Sequence, residues 1–312
     1  MTHIITNKIY KAYGFYLKSE ISLPELPQVC SNVIHDIEII TEDVTDLWVQ
    51  LSDTYNAFVI KENLVMFQVP NIAIFAISNG NQILITPLEG YDEDVVRLYI
   101  LGICMGSVLL QRKIVPLHGS AVEINGKAYA FVGNSGAGKS TLASTFVKQG
   151  FKLLSDDVIA VIFKDDNPIP YVTPSYPQQK LWEESLNKLD MEAKDYRSIY
   201  GRETKYSVPV SNYSSENLPL AGVFEIMKTD NDDIKISEIE KLESFYTLYY
   251  HTFQNCLIQG LGLMDWHFKT TTKIIENIKM NRVQRPVSSY TAPQLVSLIL
   301  SNIMELAPMV NK

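Results

Sequence analysis

The residues that most restrict this chain are Gly133-Asn134-Ser135-Gly136-Ala137-Gly138-Lys139-Ser140, a fit to G-x-x-x-x-G-K-S/T. An apolar run at 129–132 enters them and a helix predicted over 141–149 leaves them, so the expected unit is strand, loop, helix. Small residues let successive backbone N–H groups curl around a phosphate, and the helix start adds positive potential. Lys139 suits a mobile cation bridging β and γ oxygens, and Ser140 can offer a hydroxyl to magnesium (Mg2+). Thr141, which opens the helix, is grouped with residues 133–140 as nucleotide-binding. The bland alternative is a tight strand-to-helix turn that happens to contain a lysine; the flanking elements favour the phosphate loop. No Asn-Lys-x-Asp sequence occurs, which removes the guanine-reading lead and leaves ATP as the expected nucleotide.

Composition excludes more than it assigns. The 312 residues suit one large or two modest domains, and 46% hydrophobic with 20% charged residues reads as globular. Acidic residues outnumber basic ones, 35 to 27, for a net charge of −8, so no basic field recommends nucleic acid as a partner. Cys30, Cys104 and Cys256 are too few and scattered for a disulfide framework or a four-ligand zinc site, and are expected reduced and structural. The opening residues are polar where a secretory apolar core would stand. The longest uncharged apolar stretch, 98–110, is shorter than the roughly 20 residues of a spanning helix. A cytoplasmic protein with no membrane partner is expected.

The chain is expected to divide into an N-terminal, mostly antiparallel β unit over 1–90 and a phosphate-loop unit over 91–312. Short apolar runs at 57–60, 64–69, 72–78 and 81–86 alternate with turns, Asn79-Gly80 among them. A helix is expected from 92 to 111, with Asp92, Glu93 and Asp94 at its positive end. Residues 121–124 and 127–132 form a hairpin about Asn125-Gly126, and 151–154 and 158–163 are further strands. The stretch 165–219, rich in Pro, Tyr, Ser and Asn, is expected to be an irregular lid or recognition loop with a charged helical piece near 180–195. Residues 220–228 form the next strand. Leu242, Phe245, Tyr246, Tyr249, Phe253, Cys256 and Leu257 form one helical stripe read as core, and a last helix runs over 293–306.

Asp156 and Asp157 end the strand after the loop helix. In a parallel sheet that position lies beside the phosphate loop, where ligands collect. Adjacent carboxylates on extended backbone point opposite ways, so one can hold magnesium while the other takes the proton of an acceptor hydroxyl. A solvated acidic turn is the alternative. His118, just before Gly119 and the hairpin, is either a structural histidine or a ring that orients Asp157 or a phosphoryl oxygen.

Pro116-Leu117-His118-Gly119, the 133–140 loop and Gly150-Phe151-Lys152-Leu153-Leu154-Ser155-Asp156-Asp157 together resemble the catalytic domain of the HPr kinase/phosphorylase family. The resemblance implies an α/β phosphate-loop core of the HPr kinase and phosphoenolpyruvate carboxykinase type. It implies His118 as catalytic histidine, Lys139 as nucleotide lysine, Ser140 as magnesium ligand with Asp156 beside it, and Asp157 as base toward an acceptor serine. Tyr13-Gly14-Phe15, residues 19–26 and Val96-Arg97-Leu98-Tyr99 resemble one branch, the stand-alone serine kinases found with lasso-peptide precursors. That likeness implies an ATP- and magnesium-dependent serine kinase acting on a peptide or small protein, with self-association left open.

The sequence departs from the regulatory members at 218–225, where an Arg-Gly signature with an acidic metal ligand is replaced by Leu-Pro-Leu-Ala-Gly-Val-Phe-Glu. Glu225 is either a substitute ligand or a surface glutamate. Arg197, Arg202, Arg282 and Arg285 are either phosphate or acceptor contacts or solvated arginines. Two rivals stand beside the leading reading: an HPr-type kinase/phosphorylase, and an ATP-sensing interaction module that transfers nothing.

Overall fold

A computed structural model describes residues 8–30, 33–53, 55–164, 167–199 and 201–306, and the side chains of Arg202 and Glu203 lie outside the description. The parts of the expected units at 1–7, 165–166 and 307–312 also lie outside the described residues. The architecture is mixed α/β, and among the described residues no helix is long and apolar enough to cross a membrane.

The first eight strands form one sheet, in the order 28–29, 8–12, 15–19, 37–41, 82–87, 73–78, 64–69, 59–61. The pairings are antiparallel except where Ile37–Thr41 meets Phe15–Ser19 and Gln82–Pro87, both parallel. Its inner face carries Leu17, Ile37, Ile39, Val65, Phe75, Ile77, Ile83 and Ile85, all fully buried. Against that face packs a helical connector: Glu93–Tyr99, a π turn at Ile100–Cys104, and Met105–Gln111. Asp92 caps it, accepting from the Asp94 N–H. The same apolar cluster takes in Val158, Ala160, Leu257 and Ile258 from later in the chain.

The second sheet is built on the long strand Val115–Ile124. Its first half pairs with Val158–Phe163; its second half pairs with Lys127–Val132 on one edge and Lys152–Ser155 on the other, all antiparallel. Asn125 and Gly126 both have positive φ and close the expected two-residue hairpin. Lys127–Val132 also pairs in parallel with Leu218–Thr229, which pairs with Pro170–Thr173 at its start and Lys279–Pro286 along its length. The ladder therefore closes on itself. One apolar cluster fills its inside, and another lies beneath the helices Lys139–Lys148 and Ala292–Leu306.

Several expectations need correcting. The strand ending at Asp156-Asp157 is not the parallel neighbour of the strand that enters the glycine-rich loop. The two run in the same direction, but the antiparallel strand Val115–Ile124 lies between them. The 165–219 region is not an irregular lid: Gln178–Trp182, Arg202–Pro209 and Arg197–Ile199 form a three-stranded sheet with its own small core of Leu181, Leu186, Leu189 and Val208. The aromatic stripe near 242–257 is not continuous core either. It breaks at Gln254, which has positive φ, into Lys241–Tyr250 and Cys256–Gly260, and Leu242 and Tyr246 are exposed. Cys104 is buried, but Cys30 and Cys256 are exposed, so only the first is structural. The helix Met264–Asn277 and the strands Lys235–Glu238 and Lys279–Pro286 have no counterpart among the expected elements.

Candidate functional site

The register of Val115–Ile124 assembles the site. Val132, the last residue before the glycine-rich loop, lies opposite Gly119, and Val158, the first residue after the aspartate pair, lies opposite His118. One short stretch of strand therefore puts His118 between the loop and the carboxylates. Gly119 is required there, since a Cβ would stand 2.3 Å from the Phe131 carbonyl oxygen. Gly133 has a φ of 148° and a Cβ on it would meet the Ile226 carbonyl at 2.5 Å, so the loop begins pressed against the neighbouring strand.

Within the loop the Ala137 N–H bonds to the Asn134 carbonyl at 3.0 Å, and Gly138 takes left-handed geometry at the helix start. Lys139 is buried and folds back, its Nζ donating to the Gly133 carbonyl at 2.8 Å and the Asn134 carbonyl at 3.2 Å. Burial lowers its pKa, opposed by the charges of Asp156 and Asp157. The Thr141 hydroxyl lies 2.7 Å from that of Ser185, which ties the loop helix to the small sheet's helix Glu183–Lys188.

Asp156 and Asp157 occupy a three-residue turn rather than extended strand. Asp157 has a φ of 70°, and the Val158 N–H bonds back to the Asp156 carbonyl at 2.9 Å. Backbone held in so sparse a region is costly and persists only where its surroundings enforce it. Here the Asp157 carbonyl accepts from the Gly119 N–H and from His118 Nδ1, at 3.2 and 3.0 Å. The turn, not strand alternation, splits the two carboxylates. Asp156 turns inward, accepting from Ser120 Oγ at 2.5 Å and the Lys180 N–H at 2.8 Å. Burial raises its pKa, while hydrogen bonds from Ser120, Lys180 and the Ser140 hydroxyl counter the rise. Asp156 and Ser140 are thus brought together.

Asp157 faces the cleft. Its Oδ2 accepts from Lys180 Nζ at 2.5 Å, and its Oδ1 is 3.8 Å from His118 Nδ1. Burial opposes its charge, but Lys180, His118 and Lys205 outweigh burial and hold the carboxyl well below the usual range. His118 is pushed down to about 4 by burial and by the Lys139 charge, so its ring is neutral near pH 7. A carbonyl only accepts, so Nδ1 carries the proton and Nε2 keeps a lone pair.

Sequence reasoning missed Lys180 and Lys205. Both come from the small sheet, where Trp182 and Lys205 are register partners. Neither falls in a motif; their proximity depends on how that sheet folds back. It also left Arg285 open. The Arg285 Nε donates to the Ala137 carbonyl at 2.8 Å, so this arginine clasps the glycine-rich loop. Arg282 and Glu225 do not line the cleft, although Glu225 is the register partner of Val132 and the carbonyl of its partner His251 accepts from the His118 N–H. Glu225 is not a surface residue: it is buried, bonded to His251 at 3.1 Å and to Arg282 at 2.7 Å. Arg197 pairs with Asp94 at 3.0 Å.

Lys139, Ser140, His118 and Asp157 open into one cavity of about 990 Å³, whose walls also carry Lys205 and Arg285. Donors at one end and a charged carboxylate beside a neutral imidazole at the other can bind an oligophosphate and orient a nucleophile toward it. Among the described residues no cluster of three His, Cys, Asp or Glu side chains could hold a metal alone. One buried carboxylate and one hydroxyl fit magnesium nonetheless, because that ion keeps waters and takes phosphate oxygens as further ligands.

No family model matches the chain. Over 109 residues it is 33% identical to the HPr kinase/phosphorylase of Lactobacillus gasseri, a match covering 32% of this chain and 34% of the relative. It is 37% identical over 73 residues to the HPr kinase/phosphorylase of Limosilactobacillus reuteri, covering 22% of each. It is 40% identical over 50 residues to that of Prosthecochloris aestuarii, covering 16% of this chain and 15% of the relative. The chain thus spans about a third or less of the length of the curated relatives it matches. Among solved structures, the Hpr(Ser) kinase/phosphatase from Coxiella burnetii aligns with 61% of this chain and 95% of its own at 12% identity and a TM-score of 0.32.

Proposed function

We propose that the chain is an ATP-dependent kinase that phosphorylates a serine hydroxyl of a peptide or small protein. The observation that carries this is the single cavity shared by the Lys139 loop and Asp157, with His118 between them in the strand register. In this reading backbone N–H groups of 133–138, Lys139 and Arg285 hold the triphosphate, and Thr141 fixes the loop helix. Ser140 and Asp156 hold magnesium, which when bound neutralises phosphate charge. Asp157 orients the acceptor hydroxyl and receives its proton; His118 holds the Asp157 turn in place. Catalysis is then alignment and charge stabilisation, the main demands of phosphoryl transfer. A ribosomally made precursor peptide is the acceptor that the sequence resemblance implies. Incubation with γ-labelled ATP and serine peptides, followed by mass-spectrometric site mapping, tests the reading; ATP bound with no labelled serine on any acceptor would sink it.

The names of the relatives support a second reading, an HPr-type serine kinase/phosphorylase. Phosphate-dependent release of pyrophosphate from a phosphoserine protein would favour it. The engagement of Glu225 by His251 and Arg282 argues against the added acidic metal ligand of that type.

A further inference from the structure

From the glycine-rich loop the cavity extends into an arm lined by the helical connector. Leu98, Tyr99, Gly102 and Ile103 face it from the helical connector, and Phe253 stands beside His118 with ring centroids 5.8 Å apart. Phe253 is fixed from behind: its N–H bonds to the Pro116 carbonyl at 2.7 Å, and its ring lies where a Cβ on Gly106 would be, 2.6 Å from the nearest ring carbon. Gly102 belongs to the π turn Ile100–Cys104, and outside its own helical turn no heavy atom lies within 4 Å of the place its Cβ would take. Its backbone borders open cleft. π turns are rare and recur at functional sites.

We propose that this arm seats the acceptor as a peptide segment with an apolar side chain immediately beside the reacting serine. That side chain lies against the connector and Phe253 while the hydroxyl reaches Asp157. The proposal rests on the kinase reading and names its substrate class. A sugar or other polyhydroxylated acceptor would leave hydroxyls unpaired against Leu98, Ile103 and Phe253, whereas an apolar side chain gains burial there. In the transfer the serine oxygen bonds to the γ-phosphorus as the bond from that phosphorus to the β–γ bridging oxygen breaks. ADP keeps the electron pair, and the serine proton passes to the Asp157 carboxylate and on to solvent.

The test uses the full chain, ATP, magnesium and short peptides carrying one serine, with each neighbouring position scanned. Leu, Ile, Phe or Met beside the serine should give kcat/KM about tenfold or more above Asp, Lys or Asn at the same position. Gly102→Phe, which fills the arm, should raise the peptide KM about tenfold with the ATP KM changed less than about twofold. The peptide scan on the unaltered chain keeps the idea falsifiable should that variant misfold. Transfer without neighbour preference, or an unchanged peptide KM in folded Gly102→Phe, overturns this proposal alone. Bound ATP with no transfer to any peptide overturns the kinase reading and this proposal with it.

Discussion

Asp157 combines a positive φ, a lysine counter-charge and a place on the cleft wall. Asn can hold the same turn and accept from Lys180, but it cannot take a proton. Asp157→Asn should leave nucleotide affinity within about twofold and cut phosphoryl transfer by about 10²–10⁴-fold, compared by nucleotide titration and single-turnover assay. The buried His267, bonded to Thr252 at 2.8 Å, carries a different consequence, for stability. Burial pushes it down to about 4, while an unfolded histidine titrates near ~6.5. Between those values the unfolded chain binds the extra proton, so stability is full above about 6.5 and falls as pH drops toward 4. Urea midpoints measured from pH 7 to 4.5 should decline, and His267→Gln should flatten that decline. His118 adds a slope of the same sign.

At the scale of elements, the strand Val115–Ile124 sets both the site and its tolerance to change. Gly119→Ala drives a methyl into the Phe131 carbonyl, and either strand must shift. A loss of about 1–3 kcal/mol is expected in denaturant titrations, together with weaker nucleotide binding, because the same strand pair positions the loop. The strand–loop–helix unit is legible in the sequence because its glycines, apolar run and lysine are contiguous, and Asn125-Gly126 announces the hairpin because only a few residues tolerate its φ values. His118, Asp156 and Asp157 are legible as candidates by their order in the chain. Which carboxylate turns inward is not, since that depends on a turn whose strain is maintained by partners distant in sequence. The small sheet leaves little trace because two of its strands span only five and three residues and a helix interrupts them. Lys180 and Lys205 therefore carry no local signal.

Across the whole molecule, the connector's apolar cluster joins the first sheet to Val158, Ala160 and Leu257, whereas the small sheet relies on a separate core of four buried leucines and valines. The three tryptophans sample these regions: Trp48 in the short helix Thr45–Leu51, packed near Met66 and Ile74 of the first sheet, Trp266 in Met264–Asn277 and Trp182 in the small sheet. Single-tryptophan variants should show Trp48 and Trp266 fluorescence changing at one urea concentration, with Trp182 changing earlier. Three coincident curves would mean that the small sheet is fully coupled to the rest. Lys180 joins the small sheet to the aspartate pair, its N–H on Asp156 and its ammonium on Asp157. The pairing of Asp156 and Asp157 is therefore complete only when that sheet is in place, although both carboxylates come from a different part of the chain.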